Sequence, residues 1–232
     1  MSTPALVAVA HGSRAASAGR TAAALMAEVR RQRPRLTVRY CFLEHASPRL
    51  PDVIAEVGSG AVVVPLLLTA AFHSGTDLPA QLAAADPSAV RAEVLGPHPQ
   101  LVVALERRLA EVGVVPGDPA TAVVLAAAGS AHAAAQESVR MVAATWAGRG
   151  WWAVRAAFAS EGQPTVEAAV RELRGEGAPR VAVASYLLAP GMFADRLAAA
   201  GADVTSAPLG DAPEVAGLVL ARYDAAISQR DA

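Results

Sequence analysis

The feature that most constrains this chain is an internal repeat of about half its length. The segment LVAVAHGSRAASAGRTAAALMAEVR at 6–30 resembles AVVLAAAGSAHAAAQESVRMVAATW at 122–146. The landmarks that follow also match, Phe42 with Phe158 and Leu95 with Leu209, at offsets of 116 and 114 residues. A period this long indicates a duplicated domain and not a solenoid. The sequence therefore predicts two similar lobes, residues 1–115 and 116–232, joined near the Pro- and Gly-containing segment 113–119.

Within the first half, continuous apolar runs alternate with segments of helical periodicity. Apolar runs without clean alternation are typical of parallel strands that are buried on both faces. The predicted strands are 6–10, 38–43, 62–68 and 90–95, and the predicted helices cover 22–29, 48–57, 77–85 and 100–111. Each lobe is therefore predicted to be an α/β unit, a small four-stranded parallel sheet flanked by helices.

Composition excludes several classes of protein. A chain that is 53% hydrophobic and 18% charged can bury a core, which excludes a disordered protein. The net charge of −1 gives no basic footprint for nucleic acid. All 20 basic residues are Arg, so a Schiff-base lysine and a P-loop lysine are excluded. The single cysteine, Cys41, lies in an apolar run and is expected to be a buried, inert thiol.

No segment of the sequence predicts a membrane protein. The longest apolar stretch, 61–72, has 12 residues, well short of the roughly 20 that a helix needs to span a bilayer. The first residues lack the basic charge that precedes the apolar run of a signal peptide. We therefore expect a soluble cytoplasmic protein. Separately, we expect it to be a monomer or a weak homodimer.

Histidine and glutamate follow neighbouring predicted strands of the first half. His11 comes directly after the first strand, Glu44 and His45 follow the second, and His73 lies just beyond the third. Ligands of open parallel sheets bind at the carboxyl ends of the strands, so these side chains are expected to converge on one edge. Imidazole with carboxylate suits a divalent ion such as iron, cobalt, nickel or zinc.

Each of these residues also has a purely structural interpretation. The segment from His11 to Arg14 is equally consistent with a turn that ends in a capping serine. Glu44 is also consistent with a solvated charge at a strand end, and His73 with a loop histidine. Among the remaining histidines, His98 between two prolines favours a structural turn, His132 at the start of an Ala-rich helix favours the surface, and His45 favours simple exposure over a supporting role.

The second half provides an internal comparison. Ala128 stands where the first half has His11, and Phe193 stands where it has His73. Ser160 stands at the position that corresponds to Glu44 in the repeat. The apolar scaffold and the glycine persist while the histidines are lost, which predicts one active lobe and one degenerate lobe.

The combined motifs resemble the sirohydrochlorin chelatase family in its two-domain form. The resemblance rests on an apolar strand followed by His11-Gly12-Ser13-Arg14, on Phe42-Leu43-Glu44 with Pro48, and on VPLLL at 64–68 followed by His73 and by DLP at 77–79. It implies an enzyme that inserts Fe²⁺ or Co²⁺ into the tetrapyrrole sirohydrochlorin without ATP and without a tightly bound cofactor.

The resemblance also implies roles for particular residues. It assigns metal binding and proton abstraction to His11 and His73, and an assisting carboxylate to Glu44. Metal insertion displaces two pyrrole N–H protons, and an imidazole accepts protons near neutral pH. Expected substrate-binding residues, placed by their positions alone, are Ser13 and Arg14 at the rim and Leu43, Leu68 and Phe72 in the apolar walls.

Two other functions remain open at this point. A non-catalytic carrier of metal or tetrapyrrole with the same fold has the same motifs, because a fold alone does not define a function. An unrelated hydrolase that uses a histidine and Ser13 is the third hypothesis.

Overall fold

The computed structural model describes residues 3–12, 16–69 and 78–230. It contains two parallel sheets of four strands each, in the orders β2-β1-β3-β4 and β6-β5-β7-β8, which confirms the predicted duplicated α/β architecture. The elements are β1 (Leu6–Ala10), α1 (Ala16–Gln32), β2 (Val38–Phe42), α2 (Leu50–Val57), β3 (Val62–Pro65), α3 (Leu78–Ala85), β4 (Val90–Arg91), α4 (Pro99–Ala110), β5 (Thr121–Ala127), α5 (Ala133–Ala147), β6 (Ala153–Phe158), α6 (Val166–Gly175), β7 (Arg180–Tyr186), α7 (Met192–Ala198), β8 (Val204–Thr205) and α8 (Pro213–Arg230).

The first sheet is covered by helices on both faces. Val7 and Val9 of β1 pack in one apolar cluster with Leu50 of α2 and Leu82 of α3. Helices α1 and α8 contact each other, and α8 also contacts β3. The alternate β1 residue Leu6 is fully buried as well. Burial on both faces explains why the strands read as continuous apolar runs.

Two strand ends differ from the prediction. The third strand was expected to reach Leu68 but ends at Pro65. The next residue, Leu66, still donates its N–H to the Val9 carbonyl at 2.8 Å. The fourth was expected to span residues 90–95 but contains only Val90 and Arg91. A strand ends where its backbone pairing ends, and the pairing of β4 stops at Val63 although β3 continues to Pro65. Apolar character alone does not show this, so it overestimates the length of both strands.

The compact units do not coincide with the two halves of the sequence repeat. The first unit contains β1–β4, α1–α3 and the last helix α8, whereas the second contains α4 to α7 and β5–β8, with divisions after Gly96 and after Gly210. The helix that ends each repeat therefore belongs to the other unit. Hydrophobic periodicity shows that α4 and α8 have an apolar face, but it does not show which sheet each helix covers.

Specific polar contacts hold α8 in the first unit. The hydroxyl of Tyr223, which is buried, donates to the Pro4 carbonyl at 2.6 Å. Arg33 forms a two-pronged ion pair with Asp224 of the same helix. In the second unit, the indole N–H of Trp146 donates to the Glu106 carboxylate of α4 at 2.9 Å.

The Tyr223 contact gives a prediction for stability. Tyr223→Phe leaves the Pro4 carbonyl without this donor and should lower the free energy of unfolding by about 1 kcal/mol, as measured by urea denaturation. Tyr40→Phe is the matched control, because the structure shows no hydrogen bond from the Tyr40 hydroxyl within the described ranges. Equal effects of the two substitutions would contradict a stabilising role for this hydrogen bond.

Two expectations from composition can be compared with the structure. Cys41 is 1% exposed, and burial raises the pKa of its thiol to about 12, which confirms a buried, unreactive thiol. Across residues 3–12, 16–69 and 78–230, no helix combines the length and the apolar character needed to cross a membrane.

Candidate active site

The loop after β1 lies directly against the loop after β2. The Leu43 N–H donates to the Ala10 carbonyl at 3.0 Å, and the Glu44 N–H donates to the His11 carbonyl at 2.9 Å. These bonds continue the parallel pairing of β1 with β2 past the ends of both strands. They place His11 and Glu44 side by side at the carboxyl edge of the sheet, where the sequence predicted them to meet.

Gly12 makes this close approach possible. Its φ of +102° lies in a region that side chains disfavour. A Cβ atom at this position would lie 1.8 Å from the Glu44 carbonyl oxygen, which is far inside van der Waals contact. The glycine is therefore required so that the loop carrying Glu44 can pass over the loop carrying His11.

The polar side chains at this edge are partly open to solvent. His11 is exposed, and the side chains of Glu44 and His45 are 37% and 46% exposed. The His45 Nε2 atom lies 3.2 Å from the Glu44 Oε2 atom. The rings of His11 and His45 meet edge to face, with centroids 6.4 Å apart and an interplanar angle of 87°. His45 is exposed, as expected, but it also contacts both predicted site residues.

Arg49 is a cationic residue at this edge that sequence reasoning missed. Its backbone pairs with Phe42 at the end of β2, and its guanidinium donates to the Leu43 carbonyl. It is the N-cap residue of α2. The residues on the inner face of this helix, Leu50, Val53 and Ile54, are buried against the sheet. The signal in the sequence was the Pro-Arg-Leu-Pro segment, in which the two prolines mark a helix start directly beyond the second strand.

The other predicted site residues divide into two groups. Leu43 is buried, and Leu68 is half-buried beyond the end of β3; their role as apolar walls stays a prediction. Ser13, Arg14, Phe72 and His73 lie outside the described residues. Among the residues that are described, no three His, Cys, Asp or Glu side chains lie close enough together to hold a metal ion.

The second unit keeps the backbone arrangement without the histidine. A Cβ on Gly129 would lie 2.4 Å from the Glu161 carbonyl oxygen, so the close approach of the two loops is retained. Ala128 replaces His11, and the hydroxyl of Ser160, at the position of Glu44, donates to the Ala128 carbonyl at 2.6 Å. The glycine therefore serves the fold in both units. The imidazole of His11 has no counterpart at Ala128, and the glutamate of the second loop, Glu161, comes one residue after the position of Glu44.

The two remaining histidines lie at helix starts. His98 is the N-cap residue of α4, and its Nδ1 atom accepts from the Gln100 N–H at 3.2 Å, which confirms the expected structural role. His132 precedes α5 and is exposed, in agreement with the expected surface position.

The protein has two similar units, each a parallel sheet with flanking helices, and in one of them histidine and glutamate lie on adjacent strand ends. These features define a class of small two-lobed α/β proteins. The sequence profile of the CbiX family matches residues 5–112 and 122–226, which is most of both repeats. The chain belongs to the CbiX family.

Solved structures share the fold over nearly the whole chain. SirB from Bacillus subtilis with Fe³⁺ is similar at 23% identity and a TM-score of 0.78, covering 99% of this chain and 98% of that one. A structure of CbiX, described as the terminal enzyme for biosynthesis of siroheme in denitrifying bacteria, is similar at 26% identity and a TM-score of 0.74, covering 96% and 99%.

A curated relative is longer than this chain. The sirohydrochlorin cobaltochelatase of Priestia megaterium is 25% identical over 174 residues, which cover 70% of this chain and 57% of the relative. The matched region therefore spans little more than half the length of that relative.

Proposed function

We propose that this protein is a sirohydrochlorin chelatase, a lyase that inserts Fe²⁺ or Co²⁺ into sirohydrochlorin without ATP. The observation that carries the proposal is the pairing of His11 with Glu44 at the carboxyl edge of the first sheet, through the bond from the Glu44 N–H to the His11 carbonyl at 2.9 Å, in a member of the CbiX family. The name of the curated relative, a sirohydrochlorin cobaltochelatase, supplies the substrate class of a tetrapyrrole and cobalt, and one similar structure is described with iron as Fe³⁺.

The reaction exchanges two protons for one metal ion. The incoming divalent metal binds the pyrrole nitrogens, and the two N–H protons leave, so that the charge of the macrocycle core is balanced. In the proposed mechanism His11 and His73 bind the metal on arrival and accept the protons, and Glu44 assists. A site with few protein ligands holds the metal loosely enough to release it, whereas a closed four-ligand site would retain it.

The substrate carries eight carboxylates around a flat macrocycle, so its binding requires cations at the rim and apolar walls. The chain has no lysine, and guanidinium groups bind carboxylates in a two-pronged geometry. We propose Arg14 and Arg49 as rim cations and Ser13 as a polar contact. The proposed apolar walls are Leu43, Leu68 and Phe72.

Metal insertion occurs in the first unit alone in this proposal. Ala128 and Ser160 in the second unit offer no imidazole or carboxylate at the matching positions. The second unit then has no metal ligand at that edge.

Turnover separates this proposal from its alternative, a carrier that binds without catalysis. Purified protein is mixed with a tenfold excess of sirohydrochlorin and of Co²⁺, or of Fe²⁺ without oxygen, and the absorption spectrum is followed after subtraction of the protein-free rate. We expect several equivalents of metallated product per protein, formed without ATP. Product that stops at one equivalent supports the carrier and overturns the proposal, as does a rate equal to that of the protein-free reaction.

A further inference from the structure

His45 is held from two sides at the proposed site. Its Nε2 atom contacts the Glu44 carboxylate at 3.2 Å, and its ring lies edge to face with the His11 ring at 6.4 Å between centroids. With 46% of its side chain exposed, it is open to solvent and to an incoming ion.

The backbone at His45 adopts a conformation that side chains rarely adopt. Its φ is +59°, and no other non-glycine residue in the described ranges has a positive φ. The Ala46 N–H donates to the Glu44 carbonyl at 2.7 Å, so His45 is the central residue of a three-residue turn of the rarer, strained γ type. Strain of this kind persists where the surrounding structure enforces it, and it concentrates at functional sites.

The second unit shows that the loop itself does not require this conformation. The matching loop runs from Ser160 to Pro164, the same length as the loop from Glu44 to Pro48. There the positive φ, +127°, falls on Gly162, and Glu161, at the position of His45, has none. The unit that has His11 and Glu44 therefore places the positive φ on a histidine, and the unit that lacks both places it on a glycine.

The contact with Glu44 leaves one ring nitrogen of His45 available. A carboxylate that accepts the N–H of one imidazole nitrogen fixes the tautomer and leaves the lone pair on the other, an arrangement common among metal-binding histidines. Here the Nε2 atom lies 3.2 Å from the Glu44 Oε2 atom, so Nδ1 is the ring nitrogen that remains to face an ion. Because His45 and Glu44 are adjacent in sequence, the pair can form without rearrangement of distant parts of the chain.

The separation of the two imidazole rings suits a shared ion. With metal–nitrogen distances of about 2.1 Å, two imidazoles on one ion have centroids about 5.3 Å apart at the tetrahedral angle and at most about 6.5 Å apart when they lie on opposite sides of the ion. The observed 6.4 Å is close to this upper limit, so the two rings reach one ion from opposite sides, or they approach each other by about 1 Å to reach the tetrahedral angle. Two ligands leave most coordination positions open, which agrees with the lack of a ready three-ligand cluster among the described residues.

We propose that His45 is a further ligand for the divalent metal substrate, oriented by Glu44, which captures the ion together with His11 before its transfer to the macrocycle. This inference rests on the proposed function for the identity of the metal as substrate, and it adds a residue that the sequence comparison of the two halves did not select. It also gives Glu44 a second task, because its carboxylate orients the imidazole of His45.

Binding of Co²⁺ alone, followed by titration calorimetry, tests the proposal. His45→Gly removes the imidazole and relieves the positive φ, and His45→Asn removes the imidazole but tolerates this φ and keeps an N–H for Glu44. We expect each variant to weaken Co²⁺ binding about 10-fold, while the thermal midpoint of His45→Gly stays equal or rises. His132→Asn is the matched control and should bind Co²⁺ as the unaltered protein does.

A second readout counts the nitrogen ligands. Electron paramagnetic resonance of bound Cu²⁺ should show one fewer coupled nitrogen in His45→Gly than in the unaltered protein. Co²⁺ affinity within twofold of the unaltered protein, or an unchanged nitrogen count, would overturn the role of His45. Turnover of sirohydrochlorin by the unaltered protein is measured in parallel, so a failure of the proposed function is recognised independently of the metal-binding result.

Discussion

Replacing His11 or His73 with alanine is expected to reduce the rate of metal insertion at least about 100-fold. In the proposed mechanism each imidazole both holds the incoming metal and accepts a pyrrole proton, and the loss of a positioned acid–base group alone typically costs 100-fold to 10,000-fold. The initial rate of sirohydrochlorin metallation at saturating metal measures this effect. Saturating metal separates lost chemistry from weakened metal binding, which appears as a raised KM for the metal.

His132→Ala is the control for these substitutions. His132 is an exposed histidine in the unit without the histidine and glutamate pair, so its loss should change the rate less than twofold. An equal loss of rate from His132→Ala would contradict the assignment of the reaction to one unit. Full activity of His73→Ala would remove His73 from the mechanism and leave the metal with ligands near His11 alone.

The substitution Gly12→Ala is expected to lower the free energy of unfolding by about 3 kcal/mol or more. The new Cβ would lie 1.8 Å from the Glu44 carbonyl oxygen, so the two loops must separate. That movement displaces both His11 and Glu44, and a displacement of about 1 Å at a reacting group can cost roughly 100-fold in rate. Urea denaturation measures the first effect and the metallation rate measures the second.

Gly58→Ala isolates the contribution of the clash. Gly58 has a similar φ of +82°, but a Cβ there would meet nothing within 4 Å. Its φ and ψ of +82° and 179° lie in a region that glycine almost alone adopts, so its replacement should cost about 1 to 3 kcal/mol from backbone strain alone, with no effect on the rate. If Gly12→Ala destabilises the protein no more than Gly58→Ala does, the close approach of the two loops is not a constraint on the fold.

The order of strands and helices was predictable because it depends on local patterns. Apolar runs such as residues 6–10 identified buried strands, and helical periodicity identified the segments between them. The exact strand ends were not predictable, because the pairing stops at Pro65 and at Arg91 while β1 continues to Ala10 and β3 continues to Pro65. That information belongs to the pairing of strands and not to either segment.

The exchange of terminal helices was also beyond the sequence pattern. The repeat predicts that α4 completes the first lobe and α8 the second, because each follows the fourth strand of its own half. The structure assigns them the other way. The contacts that decide this, from Tyr223 to Pro4 and from Trp146 to Glu106, join residues far apart in the sequence.

The candidate site was predictable in part. The position of His11 and Glu44 followed from the rule that parallel strands present their carboxyl ends at one edge, and the structure places them on adjacent strand ends. The contacts of His45 did not follow from that rule. They depend on a turn with a φ of +59°; histidine is enriched at positive φ compared with most residues, but that preference does not predict this turn.

The sequence by itself determined the duplication, the α/β class, the half in which histidine and glutamate directly follow neighbouring strands, and the dependence on arginine for binding any acidic substrate, because the chain has no lysine. These are properties of residue type and spacing along the chain. Only the tertiary structure decided which helix covers which sheet and how His45 meets Glu44 and His11. These outcomes depend on contacts between distant segments and on one strained turn. Such contacts contribute to the free energy only once the chain has folded.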